Sequence, residues 1–174
     1  MPLKKSLITR LQKRQRKKLQ IKLLWFPIIK KWLQTGKKLE FCYVAIDRTR
    51  WQERNLLMAS LIIDKRAIPL YWLLLEKKGN SNLREQKKLI KTIIKLLKGY
   101  KIIIIGDREF GNANLADWLE SKGLKYVLRS KDCKYIQQEE QEYQQISTLG
   151  LKPHKPIFLS QVNFTKKAGF GKVN

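Results

Sequence analysis

The sequence predicts an α/β fold built on a mixed β-sheet, and two stretches of the chain carry this prediction. Residues 41–75 contain three β-prone runs in succession. Residues 83–130 alternate amphipathic helical patterns with β-branched runs. Strands joined by tight connections pair antiparallel, whereas strands joined across a helix can pair in parallel. One sheet would therefore contain three antiparallel strands, followed by strands that alternate with helices.

The individual elements follow from local patterns. An apolar run without polar alternation, such as the four isoleucines at 102–105, predicts a strand that is buried on both faces. The short turn at Lys65–Arg66 predicts a hairpin, and the segment 80–82 offers side chains that can cap a helix. The predicted elements are strands 41–47, 55–64 and 67–75, a helix from Leu83 that ends at Gly99, strand 101–106, a helix over 112–122 and strand 124–130. This order is that of the ribonuclease H-like fold.

The charge balance is the outlying property of the composition. Lys and Arg total 38 against 14 Asp and Glu, which gives a formal net charge of +24 at pH 7. Such an excess of one sign repels itself in a compact state, so it is typically matched by a polyanion. Nucleic acid is the leading partner that a charge of this sign and size predicts.

Residues 1–39 are predicted to form a basic helical arm. They contain 13 Lys or Arg residues and no acid, and their leucines recur at helical spacing until Pro27 interrupts the pattern. A lysine-rich stripe is most often a solvated helix face, but the lack of acids favours contact with phosphates. We predict three segments: the arm at 1–39, an incomplete core domain at 40–131, and the start of a strand-rich insertion at 132–174.

Neither a zinc site nor a membrane span is predicted. Cys42 and Cys133 lack a CxxC spacing, His154 is the only histidine, and the cysteines are expected to be free thiols. The longest apolar run, residues 67–75, is about half as long as a membrane span, and the N-terminus lacks a signal-peptide pattern. We therefore expect a soluble, cytoplasmic protein.

Two acids end long apolar runs. Asp47 follows the run that begins at Phe41, and Asp107 follows the isoleucine run and Gly106. An isolated aspartate at such a place is most often a helix cap. In a sheet of the predicted order, however, the first and fourth strands are neighbours, and two carboxylates about 4 Å apart repel by about 4 kcal/mol at an effective dielectric near 20. A divalent cation such as Mg²⁺ reverses that repulsion, so the pair predicts a metal site suited to phosphoryl chemistry.

Three stretches around these acids form ordered motifs. They are "AIDRTRW" with the downstream Asn55, then "AIPLYWLLLEKKGNSN", and then "GDREFG" followed by "YVLRSKD". Over residues 41–131 they resemble the bacterial DDE transposases of the insertion-sequence-four family. The resemblance implies a ribonuclease H-like catalytic domain, two divalent metal ions (Mg²⁺ or Mn²⁺), and cut-and-paste movement of a DNA element by hydrolysis and strand transfer. Asp47 and Asp107 would be the first two acids of its catalytic triad and would ligate the metals.

The third acid of that triad has no match in the chain. In the family it is the Glu of a Tyr-x-x-Arg-x-x-x-Glu-x-x-x-x-x-x-Lys signature. Tyr126 and Arg129 fit the start of the signature, but Cys133 stands where the Glu is expected. The later glutamates lack its basic partners; they are Glu139, Glu140 and Glu142. We expect a fragment whose missing C-terminal part carried the Glu, so that this chain alone is inactive or weakly active.

The residues that flank the two acids each have two interpretations. Arg48, Arg50 and Arg108 could contact nucleic-acid phosphates or lower the charge density of the acids. Trp51 could stack on a base or pack in the core. Glu109 could add a metal ligand, but the preferred interpretation is a carboxylate at the start of the following helix, stabilised by the helix dipole.

Three functions remain open from the sequence. The leading prediction is a transposase fragment that binds double-stranded DNA, both element ends and target, and acts on its phosphodiesters; a homodimer is the assembly considered. The second is a non-catalytic basic DNA-binding protein, for example an inhibitor of a full-length transposase. The third is a general RNA-binding protein, which would prefer RNA to duplex DNA.

Overall fold

A helical segment precedes the sheet. The computed structural model describes residues 21–36, 39–51, 53–138, 141–155, 157–159, 162–164 and 171–173, so the predicted arm lies outside the described residues up to residue 20. A π-helical segment, Ile21–Trp25, leads into helix α1, Phe26–Thr35. Pro27, predicted to interrupt the helical pattern, instead lies in the first turn of α1, where its missing N–H removes no helical hydrogen bond.

Five strands form one mixed sheet. They are β1 (Phe41–Trp51), β2 (Arg54–Ile63), β3 (Arg66–Leu75), β4 (Lys101–Gly106) and β5 (Lys125–Leu128). The order across the sheet is β3-β2-β1-β4-β5. The first three strands pair antiparallel, and β4 runs parallel to both β1 and β5. The predicted ribonuclease H-like mixed sheet, with its first and fourth strands adjacent, is confirmed.

Strand β1 continues beyond its predicted end at Asp47. Its pairing with β4 stops at Ile46, but residues 47–51 pair with residues 54–58 of β2. The polar residues after Ile46 therefore stay in the strand because the hairpin partner satisfies their backbone groups. The β2–β3 hairpin turns at Asp64 and Lys65, one residue earlier than predicted, with φ angles of 46° and 65°. Positive φ at both central residues characterises the type I′ turn, whose twist matches that of the flanking strands.

Two helices follow the antiparallel strands and supply much of the core. Helix α2 (Leu83–Leu96) begins with a capping box in which Asn82 and Glu85 exchange side-chain-to-backbone hydrogen bonds, as the predicted cap segment indicates. Helix α3 (Ala113–Glu120) is capped by Asn112. The helices and the sheet share one cluster of buried side chains, which includes Val44, Leu57, Ile90, Ile93, Ile104, Leu115 and Leu119.

Strand β4 is fully buried on one face only. Ile102 and Ile104 are buried, whereas Ile103 and Ile105 are half-buried. The prediction that β4 is buried on both faces is therefore wrong for the face that carries Ile103 and Ile105, which is only partly buried. The reason is that the buried pair faces the cluster formed with the helices, while the described residues cover the other face less completely.

Helix α1 packs against the sheet. The Trp25 indole N–H donates to the carbonyl oxygen of Pro69 at 2.9 Å, and the rings of Phe26 and Tyr71 meet edge to face with centroids 5.8 Å apart. Ile29 and Leu33 are buried in the core cluster. The segment just before the sheet is thus part of the folded unit.

A second, smaller sheet follows β5. Its strands, in the order β7-β6-β8-β9, are β6 (Tyr135–Gln138), β7 (Gln144–Gln145), β8 (Val162–Phe164) and β9 (Gly171–Val173). Strands β6 and β7 form a hairpin, which is followed by the 3₁₀ turn Ile146–Leu149. The division into arm, core and insertion stays a prediction. Within the described residues, no helix is long and apolar enough to cross a membrane.

Candidate active site

Two acids lie side by side where β1 and β4 stop pairing. The last registered pair of these parallel strands is Ile46 with Gly106. Asp47 and Asp107 each follow a member of that pair, and neighbouring strands lie about 4.8 Å apart. Both aspartates are exposed. The topology therefore brings together two acids that are far apart in the sequence.

Asp107 does not cap the helix that follows it. Its Oδ1 accepts a hydrogen bond from the backbone N–H of Glu109 at 3.0 Å, which closes the turn after β4. Helix α3 is capped by Asn112, whose Oδ1 accepts from the N–H of Leu115 at 2.9 Å. The helix cap, which is the usual structural role of an isolated aspartate after a strand, is thus provided by Asn112.

Arg48 and Glu109 form a shielded ion pair next to the two acids. Arg48 Nε donates to Glu109 Oε2 at 2.5 Å, and their side chains are 19% and 9% exposed. Arg48 also donates through Nη1 to Asn55 Oδ1 at 3.1 Å and through Nη2 to Asn80 Oδ1 at 3.2 Å. Since strand residues alternate between faces, the Arg48 side chain leaves β1 on the face opposite to that of Asp47. Nucleic-acid contact by Arg48 stays a prediction; its observed contacts are within the protein.

Glu109 does not lie at the start of the following helix, as preferred from the sequence. Its Oε1 accepts from the backbone N–H of Ser81 at 2.7 Å and from the Ser81 hydroxyl at 2.5 Å, just before the cap of α2. With the Arg48 contact, three donors satisfy this nearly buried carboxylate, as burial of a charge requires. The difference arises because the turn after β4 directs Glu109 towards the preceding helix.

Asn55 ties the ion pair to the loop before α2. This residue is 1% exposed, and its side-chain amide donates to the carbonyl oxygens of Lys77 and Gly79 at 2.9 and 2.7 Å. The resulting polar network joins β1, β2, the loop 76–82 and the turn after β4. Because Arg48 adjoins Asp47, and the Glu109 N–H binds Asp107, the network fixes the backbone on both sides of the acid pair.

Gly111 lets the turn after β4 approach the exit of β5. A Cβ atom on Gly111 would lie 2.2 Å from the carbonyl oxygen of Arg129 and 3.1 Å from Cα of Ser130. Only glycine fits there without movement of the backbone. The two ends of the third motif, "GDREFG" and "YVLRSKD", are therefore in direct contact.

The other predicted site residues lie around the acid pair. Arg50 is exposed on β1, and Arg108 is exposed in the turn between Asp107 and Glu109. Trp51 is the last residue of β1, and its side chain lies outside the described part. Their contacts with nucleic acid stay predictions. Cys133 is exposed, Glu142 is exposed in a loop, and Glu139 and Glu140 lie outside the described residues.

The carboxylate oxygens of Asp47 and Asp107 suit a hard cation that takes few of its ligands from the protein. Among the described residues, no group of three or more His, Cys, Asp or Glu side chains could hold a metal ion. Mg²⁺ keeps several waters and is commonly bound by one or two carboxylates together with substrate phosphates. Asp47 and Asp107 therefore fit a magnesium ion that completes its coordination with water and substrate.

A separate acidic pair lies on helix α3. Partial burial, and then the neighbouring Glu120 carboxylate, raise the pKa of Asp117. Burial also raises the pKa of the Cys42 thiol inside β1, and both cysteines are free, as predicted. Neither group adjoins Asp47 or Asp107 in the chain, and the Cys42 thiol belongs to the core.

The sheet topology and the acid pair define an α/β domain of the ribonuclease H-like class, with two carboxylates at adjacent strands. A sequence profile described as "Transposase DDE domain" matches residues 39–166. The chain belongs to this family.

The comparison with solved structures includes the crystal structure of the catalytic domain of Mos1 mariner transposase. The sequence identity is 10% and the TM-score is 0.37, and the alignment covers 59% of this chain and 55% of that one. This chain thus spans about half of that protein chain. A comparison with curated proteins finds no match.

Proposed function

We propose that this protein is a DDE transposase of the insertion-sequence-four type, whose core acts on DNA phosphodiesters through Asp47 and Asp107. The observation that supports the proposal is the registered pair Ile46–Gly106 of two parallel strands, because Asp47 and Asp107 each follow a member of that pair. In α/β sheets, ligands bind beyond the carboxyl ends of the strands, and the acids lie where the β1–β4 pairing ends. Family membership supports the choice of a DNA substrate.

Asp47 and Asp107 would hold the divalent cation, Mg²⁺ or Mn²⁺. A pair of such ions supplies Lewis-acid stabilisation of the attacking and leaving oxygens at a phosphodiester. The protein contributes the fixed backbone on either side of the acids, since the Glu109 N–H binds Asp107 and the Arg48 ion pair immobilises the residue after Asp47. The third carboxylate of the family triad is not assigned to a residue of this chain.

Arg50, Arg108 and Trp51 are proposed to contact the DNA next to the acids. Arg50 and Arg108 are exposed, and each lies within three residues of an acid. A guanidinium group can form two parallel hydrogen bonds to a phosphate, which gives both charge and orientation. We assign Arg48 a positioning role, because its guanidinium contacts Glu109, Asn55 and Asn80.

Nicking of supercoiled DNA in the presence of Mg²⁺ or Mn²⁺ tests this function. The chain is expected to give weak, cation-dependent nicking that Asp47→Asn and Asp107→Asn each abolish, because removal of one carboxylate leaves a poor cation site. Asp64→Asn is the matched control, since Asp64 lies in the β2–β3 turn with a φ of 46°, which Asn tolerates well.

The second candidate is a non-catalytic DNA-binding protein, favoured by the net charge of +24 together with the unassigned third carboxylate. It predicts duplex binding that both aspartate substitutions leave unchanged, with no nicking under any cation. Nicking that persists in both variants would contradict the assignment of Asp47 and Asp107.

A further inference from the structure

Helix α2 presents a continuous row of cations to solvent. The row consists of Arg84, Lys88, Lys91, Lys95 and, in the turn after the helix, Lys98; all of these residues are exposed. We call this set the α2 stripe. At 3.6 residues per turn its members fall within an arc of about 80°. The stripe lies opposite the buried face of the helix, which carries Leu89, Ile90 and Ile93.

The charges of the α2 stripe are not neutralised within the helix. The one acid of α2 is Glu85, and its carboxylate accepts from the Asn82 N–H at 2.8 Å and pairs with Lys77 at 2.7 Å. Within the described part of the chain, the ion pairs involve Arg48, Lys77 and Lys78, and none involves the stripe. Like charges four residues apart, as at Arg84 and Lys88, destabilise a helix slightly. The stripe therefore works against the stability of the helix that carries it.

The dimensions of the α2 stripe match a nucleic-acid backbone. From Arg84 to Lys95 the helix rises about 16 Å, at 1.5 Å per residue. One strand of duplex DNA carries a phosphate about every 3.4 Å along the axis, so this length spans about five phosphates. Successive stripe residues lie about 5–6 Å apart at Cβ, and each can reach a different phosphate.

The α2 stripe begins beside the candidate active site. Ser81, which donates two hydrogen bonds to Glu109, lies three residues before Arg84. Helix α2 then leads away from the turn that carries Asp107. A duplex bound along the helix would therefore have one end near the turn that carries Asp107.

We propose that the α2 stripe is a sequence-independent docking surface for the backbone of duplex DNA, which it would hold along α2 from the sheet edge where the acids lie. This inference rests on the proposed action on DNA. It adds a contact surface outside the acid pair and its flanking residues. Phosphate contacts fix the position of a protein on DNA without reading its sequence.

Salt-dependent binding of a fluorescent DNA duplex, measured with the full chain, tests the proposal. The test variant replaces the stripe by glutamine (Arg84, Lys88, Lys91, Lys95 and Lys98). The matched control replaces one exposed Arg and four exposed Lys elsewhere by glutamine (Lys30, Arg66, Lys122, Lys152 and Lys155), so the change in net charge is the same. Glutamine has nearly the helix propensity of Lys and Arg, so α2 should remain folded, which circular dichroism verifies.

The stripe variant is expected to reduce the slope of log affinity against log salt by about 4, and the control variant by less than about 1. Equal reductions in both variants would overturn the proposal, since they would show a general charge effect. If the stripe variant loses affinity only for a competing RNA hairpin and not for the duplex, the proposal that duplex DNA binds the stripe is overturned. Failure of the proposed function alone is a separate outcome, because it appears as nicking that Asp47→Asn and Asp107→Asn leave unchanged; wild-type protein that binds no duplex would overturn both.

Discussion

Replacing Glu109 by alanine is expected to lower the free energy of unfolding by about 3–5 kcal/mol. The substitution leaves Arg48, 19% exposed, without its carboxylate and removes the acceptor for the Ser81 N–H and hydroxyl. A buried charge without its partner pays the full cost of desolvation. Denaturant unfolding followed by circular dichroism measures the effect.

Glu53→Ala is the matched control for this prediction. Glu53 pairs with Lys78 at 2.6 Å, but the two side chains are 70% and 68% exposed, so water screens the pair. Its removal is expected to cost less than about 1 kcal/mol. Equal losses in Glu53→Ala and Glu109→Ala would contradict the claim that the Arg48–Glu109 network holds the turn after β4.

Gly111→Ala is expected to destabilise the protein by about 3 kcal/mol, at the upper end of the range for overpacking. The added Cβ would lie 2.2 Å from the Arg129 carbonyl oxygen, and a backbone atom cannot rotate away as a side chain can. The turn carrying Asp107 must therefore move away from β5. A thermal melt is expected to show a fall in Tm of about 6–12 °C for a chain of this size.

Gly123→Ala separates this steric effect from the conformational cost of losing a glycine. Gly123 has a φ of 65°, and a Cβ there would meet no atom within 4 Å. Its replacement is expected to cost only about 1–2 kcal/mol, the strain of a left-handed residue. If Gly111→Ala destabilises the protein less than Gly123→Ala does, the claim that the turn approaches Arg129 closely is contradicted.

The order of strands and helices could be predicted because local signals agree with the global fold. The apolar runs that end near Asp47 and Asp107 became β1 and β4, and the short connections became antiparallel pairs. The capping segment before Leu83 started α2 as predicted. Each of these features depends on residues that are close together in the chain, so the local sequence pattern is enough to predict it.

The contacts of the candidate site could not be predicted in the same way. Arg48 and Glu109 are 61 positions apart, and each reads as a surface charge until the register of β1 and β4 is known. One signal is present in the sequence: charged residues follow each acid, with Arg48 directly after Asp47 and Glu109 two positions after Asp107. When the predicted strands β1 and β4 are extended past the two acids, Arg48 and Glu109 come together. The buried Asn55 and Ser81 complete the network.

Broadening of backbone amide signals by Mn²⁺ in nuclear magnetic resonance tests most directly the claim that Asp47 and Asp107 share one cation site. Bound Mn²⁺ broadens the signals of nearby amides. The signals of residues 46–49 and 106–109 are expected to broaden first, Asp47→Asn and Asp107→Asn are each expected to remove the effect, and Asp64→Asn is expected to retain it. Broadening centred on Asp117 and Glu120, or unchanged in both site variants, would contradict the account.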